Sequence, residues 1–456
     1  MIVNKYYKVI RVIKDGDDAL TPFYIENISG EDGQFVTGST ETYHKQRNLM
    51  YKVDDGEWFE YTDDGTMKID VPNGSRIYLK GDNPLVGSNN NHRSLRLYKK
   101  GKTTHINYNI GGYLTSLIRS TNFDEVDTIP DYSFACLFYQ TKIVSASNLI
   151  TSNIKYVGTS TFQQCFNECT SLSSLPDGMF ANLTTVISGT FYQCFSGCTS
   201  LTSLPDGMFA NVTTVSSSAF GPCFQDCTSL TSLPDGMFAN VTTVGDYAFK
   251  YCFSGCTSLT SLPDGMFANL TTVSSQSFQQ CFQECTSLTS LPEGMFANVT
   301  TVSSSAFYQC FQGCTSLTSL PEGMFANLTT VSSQSFKQCF YGCTSLTSLP
   351  DGVFANLTTV SSYAFQQCFY GCTSLLIGAN FKKITGSTSH DAFDGCYKDC
   401  TSLQLIYAPQ MSTWNESYFQ DWVSGVYPTG KMYVKSGVVP PTGTSGVPEG
   451  WQLLNY

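Results

Sequence analysis

The stretch CTSLTSLPDGMFANVTTVSSSAFGPCFQD, residues 198–226, decides the fold, because close copies of it run through the middle of the chain. Its unit is 29 residues long and carries two cysteines four positions apart, which recur as Cys165, Cys194, Cys223, Cys252, Cys281, Cys310, Cys339, Cys368 and as Cys169, Cys198, Cys227, Cys256, Cys285, Cys314, Cys343, Cys372. Cys136 lies one period earlier, and Cys396 and Cys400 follow after 28 residues. Repeats of roughly 20–50 residues predict a solenoid, since one unit cannot bury its apolar face until neighbours stack on it.

Each unit divides into three parts. Leu201 and Leu204 predict a short strand that Pro205 ends, because proline cannot donate to a ladder. A turn at Asp206-Gly207 leads to a second strand at 212–215. Apolar residues at i, i+3, i+4 and i+7 then favour one face of a short helix, formed by Phe220, Cys223, Phe224 and Cys227. The predicted fold class is an α/β solenoid of two short parallel strands and one short helix per coil, curved with the helices outside.

Three recurring segments, CTSLTSLP, LTTVSSxAF and FxxCFxxCTSL, resemble the BspA-like branch of leucine-rich repeat proteins. Residues 110–142 resemble the N-terminal entry to that repeat in gut Bacteroidetes and their phages, and residues 422–456 resemble its C-terminal closure. The resemblance implies a leucine-rich repeat fold and a surface, adhesion or interaction role. The chain departs from the family in showing no export signal or lipoprotein cysteine, and in having repeats that are unusually alike.

The repeat also divides the chain into domains. Residues 1–105 lack it, and their strand-like runs between Asp-Gly and Pro-Asn-Gly turns predict an all-β sandwich. The hairpin MYKVDDGEWFEY in this part resembles those of small immunoglobulin-like modules. We expect an N-terminal cap at 106–135, repeats over 136–400 and a C-terminal cap at 401–456 that contains Trp414, Trp422 and Trp451. Whether the first module caps the stack or attaches it to something else is left open.

Composition excludes several function classes. Only 13% of the residues are charged and the net charge is −11, which argues against nucleic acid as the partner because phosphate binding needs clustered Lys and Arg. The four histidines, His44, His92, His105 and His390, form no catalytic pattern in the sequence. We therefore expect a non-enzymatic protein with no catalytic residues, no metal and no cofactor.

Nineteen cysteines first suggest a disulfide framework. On a helix, however, thiols at i and i+4 face the same way with Cβ atoms about 6 Å apart, too far for a relaxed disulfide. The alternation with phenylalanine favours buried free thiols that fill the core. Disulfides between coils, or a metal held by four thiolates from two coils, are the alternatives.

Three polar columns have both a structural and a functional interpretation. The carboxylates after the repeat proline fit turn residues or a structural Ca²⁺ site: Asp177, Asp206, Asp235, Asp264, Glu293, Glu322 and Asp351. The asparagines that begin N-[L/V]-T fit coil corners bonded to neighbouring backbone, or glycosylation: Asn182, Asn211, Asn240, Asn269, Asn298, Asn327 and Asn356. Threonine rows fit a solvated strand face, or a surface that orders water or binds ice or glycans. The structural interpretation is favoured for all three.

Variation between coils indicates where a ligand would be recognised. One position of the predicted helix surface changes from coil to coil, through Tyr192, Gly221, Lys250, Gln279, Tyr308, Lys337 and Gln366. Aromatic residues also recur between the paired cysteines at Tyr341 and Tyr370. The candidate ligand-binding residues are therefore Tyr192, Tyr308, Tyr341 and Tyr370.

The start of the chain bears on its location. MIVNKYYKVIRVIKDGDD has no uninterrupted apolar core of a secretory signal, and no run of 18 apolar residues predicts a membrane span. Together with the resemblance, this predicts a phage virion protein of fibre or receptor-binding type, made in the host cytoplasm. Its expected partners are a protein or glycan on the host surface and other virion proteins. A bacterial cell-surface adhesin and an intracellular interaction scaffold are the alternatives, and a homo-oligomer is left open.

Overall fold

The computed structural model describes residues 20–37, 49–61, 67–82, 95–385 and 391–456. Part of the predicted β-sandwich, including residues 1–19, and the histidines His44, His92 and His390 lie outside these residues. Within the described ranges, no helix has the length and apolar character needed to cross a bilayer.

Eight strands precede the repeats: β1 (Phe23–Asn27), β2 (Gly33–Thr37), β3 (Leu49–Val53), β4 (Phe59–Tyr61), β5 (Ile69–Val71), β6 (Arg76–Gly81), β7 (Leu95–Lys99) and β8 (Tyr108–Tyr113). Two further strands are β9 (Thr128–Ile129) and β10 (Ile143–Ile150). A six-stranded sheet has the order β10-β8-β1-β6-β3-β4, and a three-stranded sheet has the order β5-β2-β7. All pairs are antiparallel except β8–β10. The strands occur where the β pattern was predicted, and the immunoglobulin-like sandwich itself stays a prediction.

The first sheet continues into the repeats. Strand β10 belongs to the repeat region, yet it pairs in parallel with β8 of the N-terminal sheet. The ring of Phe23 in β1 lies 5.8 Å from that of Phe138, and both side chains are fully buried. Sheet and solenoid therefore share one apolar core across residue 105.

Each following coil contributes one very short strand. After β11 (Tyr156–Val157) these are the Thr-Val pairs β12 (Thr185–Val186), β13 (Thr214–Val215), β14 (Thr243–Val244), β15 (Thr272–Val273), β16 (Thr301–Val302), β17 (Thr330–Val331) and β18 (Thr359–Val360). Neighbours pair in parallel one repeat apart, as Val186 does with Val215. The second predicted strand is thus confirmed but is shorter than 212–215. The first has no regular strand at 201–204, only a backbone bond from Thr231 to Thr202 and isolated bridges such as Ser319–Ser348.

The predicted helix is wrong. The helical elements of the described chain are three 3-10 turns, Leu114–Leu117, Phe123–Glu125 and Glu416–Tyr418, and none of them lies at the FxxCFxxC position. There the chain forms overlapping β-turns in which residues at four-residue spacing have a positive φ, as at Gly189, Gln193 and Gly197. In the coil of Pro222 only Ser218 and Asp226 do so, because proline fixes φ at a negative value. We call the segment 217–227 and its equivalents in the other coils the turn face.

The hydrogen bonds of the turn face explain why it is not helical. The N–H groups of Phe191, Gln193 and Phe195 donate to carbonyls of the next coil at 2.8–2.9 Å, while those between them bond within their own coil. In a helix the N–H groups donate to carbonyls of the same helix, and the axes of two packed helices lie about 8–10 Å apart. Phenylalanine rings of adjacent coils stack only about 5.3 Å apart, as between Phe191 and Phe220. The turn face therefore holds neighbouring coils together. The predicted curvature of the solenoid assumed helices on its outer side, so that reason for curvature no longer applies.

Three columns of aromatic rings fill the solenoid. The two on the turn side include Phe220 and Phe224, and the third includes Phe209, which meets Phe220 edge-on at 4.8 Å. These side chains, and the leucines and valines beside them, are buried as predicted. Ring stacking between identical side chains one repeat apart explains why the unit varies so little on its inner side.

All nineteen cysteines are buried free thiols, as the core-filling interpretation predicted. The second cysteine of each pair donates its S–H to a phenylalanine carbonyl of the preceding coil, as Cys256 does to Phe224 at 3.2 Å. Burial raises the pKa of Cys227, Cys285 and Cys343 to about 12. Neutral thiols of this kind are poor nucleophiles and poor metal ligands.

The asparagine column forms the predicted coil corner. The Nδ2 group of Asn269 donates to the Ala239 carbonyl at 2.7 Å, and the same bond recurs at Asn211, Asn240, Asn298, Asn327 and Asn356. Each bond ties a coil to the one before it through the side chain, in addition to the backbone ladder.

Replacing Asn269 tests this corner. Asn269→Ala should lower the free energy of unfolding by about 0.5–1.5 kcal/mol, because the Ala239 carbonyl loses a donor. Asn269→Asp should cost more, since a carboxylate oxygen would then face that carbonyl. Urea denaturation at pH 7 measures both, and an Asp variant as stable as the wild type would contradict the role assigned to the amide.

The last coils close the stack. Strands β19 (Ile377–Asn380), β20 (Leu405–Tyr407), β21 (Lys431–Val434) and β22 (Gln452–Asn455) form one parallel sheet in that order. The Phe224-type column ends with Tyr397 and the fully buried Trp422, whose indole N–H donates to the Gly446 carbonyl at 3.0 Å. A large ring with a satisfied polar group thus covers the end of the apolar column.

Candidate binding site

The coils of the turn face are alike except at two neighbouring coils. A column of glutamine side chains bonds from coil to coil, as Gln309 does with Gln338 at 2.8 Å and Gln338 with Gln367 at 2.7 Å. At the equivalent positions of two neighbouring coils the chain has Pro222 and Tyr251 instead. The residue before Pro222 is Gly221, the smallest member of the variable column.

Pro222 also interrupts the backbone ladder. Equivalent residues donate an N–H to the next coil, as Gln193 does to Gly221 and Tyr251 does to Gln279, both at 2.9 Å. Proline has no N–H, so the Lys250 carbonyl lacks the bond that its equivalents receive within the described repeats. The Lys250 carbonyl is therefore left without a backbone donor from the coil that contains Gly221 and Pro222.

A cavity of about 440 Å³ opens at this break. It is lined by Tyr192, Ser218, Gly221, Pro222, Gln225, Tyr247, Lys250 and Tyr251. Gly221 and Pro222 are buried and form its floor, while Tyr247 remains 40% exposed at its edge. Small-molecule sites typically occupy about 300–1,000 Å³. We call this feature the cleft.

Glycine at 221 is required for the shape of the cleft. A Cβ atom added there would lie 2.9 Å from a ring carbon of Tyr192, which leans over the glycine from the preceding coil. On the opposite side lie Tyr247, Lys250 and Tyr251 of the next coil. Tyrosine rings from the two neighbouring coils thus flank the coil that contains Gly221 and Pro222.

Lys250 sets the charge of the cleft. Its Nζ atom lies 5.4 Å from the ring centres of both Tyr247 and Tyr251, within reach of a cation–π interaction. In the part of the chain that the structure describes, this ammonium group makes no ion pair, and no residue lining the cleft carries a carboxylate. The lining of the cleft therefore carries one positive charge and no negative charge.

The four tyrosines predicted from the sequence are not brought together. Tyr192 lines the cleft, whereas Tyr308 lies two coils beyond Lys250, where burial raises its pKa. Tyr341 and Tyr370 form a separate stacked pair, with ring centres 4.7 Å apart and planes inclined by 6°. They extend the turn face as an aromatic surface away from the cavity.

Sequence reasoning missed Tyr247, Tyr251 and Ser218 as site residues. Tyr247 and Ser218 occupy the same place in successive coils, one unit of 29 residues apart. The sequence signal for this site is Pro222. At the equivalent position of other coils a backbone N–H donates to the next coil, and proline has no N–H to donate.

The side chains of the polar columns take part in turns and in hydrogen bonds between coils. Asp206 is exposed in a turn in which the Met208 N–H bonds the Pro205 carbonyl at 3.3 Å and Gly207 has φ 74°. No group of three acidic, histidine or cysteine side chains is placed to hold a metal among the residues described. Threonines such as Thr260 donate their hydroxyls to the backbone of the preceding coil at 3.2 Å. These columns stabilise the stack.

Comparisons with known proteins bear on the repeats. The BspA type leucine rich repeat region matches in six copies, over residues 115–281 and 193–421. A leucine-rich repeat protein from Eubacterium ventriosum ATCC 27560 is similar in structure, with 14% identity, a TM-score of 0.30, and coverage of 77% of this chain and 91% of that one. No curated protein matches the sequence.

Proposed function

Since the chain belongs to the BspA-type leucine-rich repeat family, we propose that it is a non-enzymatic binding protein that holds its ligand in the cleft. The observation that carries this proposal is the break at Gly221-Pro222, where a uniform ladder gives way to an open, aromatic-walled and positively charged cavity. The neighbouring coils supply the rigid frame that keeps the two walls apart.

We further propose that this binding attaches the protein to a bacterial surface, as a virion protein of fibre or receptor-binding type. The turn face supports an attachment role because it presents Tyr192, Tyr247 and the Tyr341–Tyr370 pair as partly exposed rings. A bacterial cell-surface adhesin would use the same face and is the second candidate. An intracellular interaction scaffold is the third.

Binding to intact cells tests the role of the cleft. The full chain, labelled with a fluorophore, should bind bacterial cells from its source community in flow cytometry. The double variant Gly221→Gln/Pro222→Gln gives this coil the Gln-Gln pair of residues 279–280, so it should fold and should bind at least tenfold more weakly. Unchanged binding by this variant would contradict the proposed function.

Location separates the three candidates. Antibodies against the repeats should label purified virions from the same source if the protein is a virion component. Labelling of whole bacterial cells that is lost on treatment with an external protease would instead establish the adhesin. Detection only in the cytosolic fraction would overturn both in favour of the scaffold.

A further inference from the structure

We propose that the cleft binds a saccharide that carries a carboxylate group. The inference rests on the proposed function, in that it takes the cleft as the ligand site and names the chemical class that fits it.

The walls of the cleft suit a sugar ring. Tyr192 on one side and Tyr247 and Tyr251 on the other line the cleft from the two coils that flank Gly221 and Pro222. A pyranose has an apolar face of C–H groups that packs on such rings, while its hydroxyls point outward at the edges. The volume of about 440 Å³ accommodates a ligand of one to a few rings.

The polar groups of the cleft suit a ligand with many hydroxyls. Three tyrosine hydroxyls, the Ser218 hydroxyl and the Gln225 amide can each donate or accept. The Lys250 carbonyl adds an acceptor without its usual intercoil partner. A bound hydroxyl that donates to this carbonyl would satisfy a group that Pro222 leaves unpaired, so it would cost little in displaced protein contacts.

The charge of the cleft selects an anionic sugar. Lys250 is half-buried, its ammonium group lies 5.4 Å from the ring centres of Tyr247 and Tyr251, and it makes no ion pair with any described residue. A cationic ligand would be repelled by this group, and a neutral one would leave its charge uncompensated. One ammonium group without a neighbouring arginine matches one carboxylate better than a doubly charged phosphate, for which bidentate arginine is the usual partner.

Two matched oligosaccharides test the ligand class. Trigalacturonic acid and galactotriose differ in having carboxylates or hydroxymethyl groups on the same rings. Isothermal titration with the full chain in 20 mM salt should detect the acidic trimer and give at least tenfold weaker binding of the neutral one. Raising the salt concentration should weaken the acidic interaction, because an ion pair at a half-open site is screened.

Lys250→Met should lower the affinity for the acidic trimer about tenfold. Lys337→Met is the matched control, since Lys337 occupies the equivalent position two coils further on from Gln279 and lies 5.9 Å from the Tyr363 ring. It should leave the affinity unchanged. A variant that loses binding must keep the wild-type melting temperature, so that a folding defect is excluded.

The outcomes distinguish this inference from the proposed function. Equal affinity for both trimers, or equal losses in the Lys250 and Lys337 variants, would overturn the assignment of an acidic sugar. If neither trimer binds while cell binding still depends on Gly221 and Pro222, the ligand class is wrong and the binding function stands. If the Gly221→Gln/Pro222→Gln variant binds cells as well as the wild type, the ligand class and the proposed binding function of the cleft are both wrong.

Discussion

Raising the pH from 8 to about 10.5 is expected to unfold this protein. Burial raises the pKa of the cysteine thiols, to about 12 at Cys227, Cys285 and Cys343, from an ordinary value of 9.0. A thiol whose pKa is higher in the folded state stabilises that state fully below pH 9. The contribution is lost as the pH rises from 9 towards 12, because only the unfolded chain then releases the proton.

The number of thiols makes this effect large. At pH 10, one unit above its ordinary pKa, each thiol that stays neutral in the folded state loses about 1.4 kcal/mol of stabilisation. All nineteen thiols are buried, so the summed loss exceeds the net stability of about 5–15 kcal/mol that ordinary domains have. Tyr108 and Tyr397 act in the same direction, since burial raises the pKa of both.

Urea denaturation at a series of pH values measures this loss. Stability should be nearly constant between pH 7 and 8 and then fall steeply, with unfolding in buffer between about pH 9 and 10.5. A thiol reagent should react slowly at pH 8 and completely once unfolding begins. Stability that stays flat to pH 10.5 would contradict the buried neutral state of these thiols.

A variant with fewer thiols provides the control. Cys281→Ala with Cys310→Ala removes two stacked thiols and should lower the stability at every pH through the cavities that it leaves. The slope of stability against pH above 9 should nevertheless become shallower by about 2.7 kcal/mol per pH unit, the share of two protons. The slope identifies the thiols as the titrating groups, independently of the packing loss.

Truncating one ring in the middle of the stack is expected to divide the solenoid. Phe278 is fully buried and contacts Phe267 and Phe296 edge-on at 4.8 and 5.0 Å, and Phe249 and Phe307 by stacking at 5.4 and 5.5 Å. Phe278→Ala should cost about 3–5 kcal/mol, as for other buried phenylalanines. The loss falls on two coil interfaces, because each coil contacts only its neighbours.

The shape of the denaturation curve reports this division. Chemical denaturation followed by circular dichroism should change from one transition to two, as the coils on either side of Phe278 begin to unfold separately. Phe278→Leu is the matched control, since it keeps most of the apolar volume and should retain a single transition with a smaller loss. A single transition in the alanine variant, with less than 1 kcal/mol lost, would contradict a stack held by nearest neighbours.

The repeat period and the buried positions could be predicted from the sequence, because every coil places the same residue types inward. The helix was wrong because the spacing of Phe220, Cys223, Phe224 and Cys227 fits both a helix and a run of four-residue turns. Gly189, Gln193 and Gly197 follow one another at four-residue spacing with a positive φ, which favours the turns. The distance of about 5.3 Å between stacked rings decided against the helix, and this distance cannot be obtained from one coil alone.

The cleft was only partly predictable for a similar reason. Tyr192, Gly221 and Lys250 stood out as members of a variable column, since that column differs between otherwise identical coils. Tyr251 belongs to a different column, and it faces the same cavity only because Pro222 leaves the space beside it empty. Such a site forms where the preceding coil has small side chains. It cannot be recognised from the sequence of one coil taken by itself.

The near identity of the coils has a consequence for how this gene can change. Because each coil bonds to the next through the same Phe, Cys, Asn and Thr columns, loss or duplication of one complete 29-residue unit would bring equivalent surfaces together. Unequal crossing-over between the repeats would therefore produce proteins of different length that still fold. Loss of the coil that contains Gly221 and Pro222 would have a further effect. It would shorten the protein and also remove the cleft.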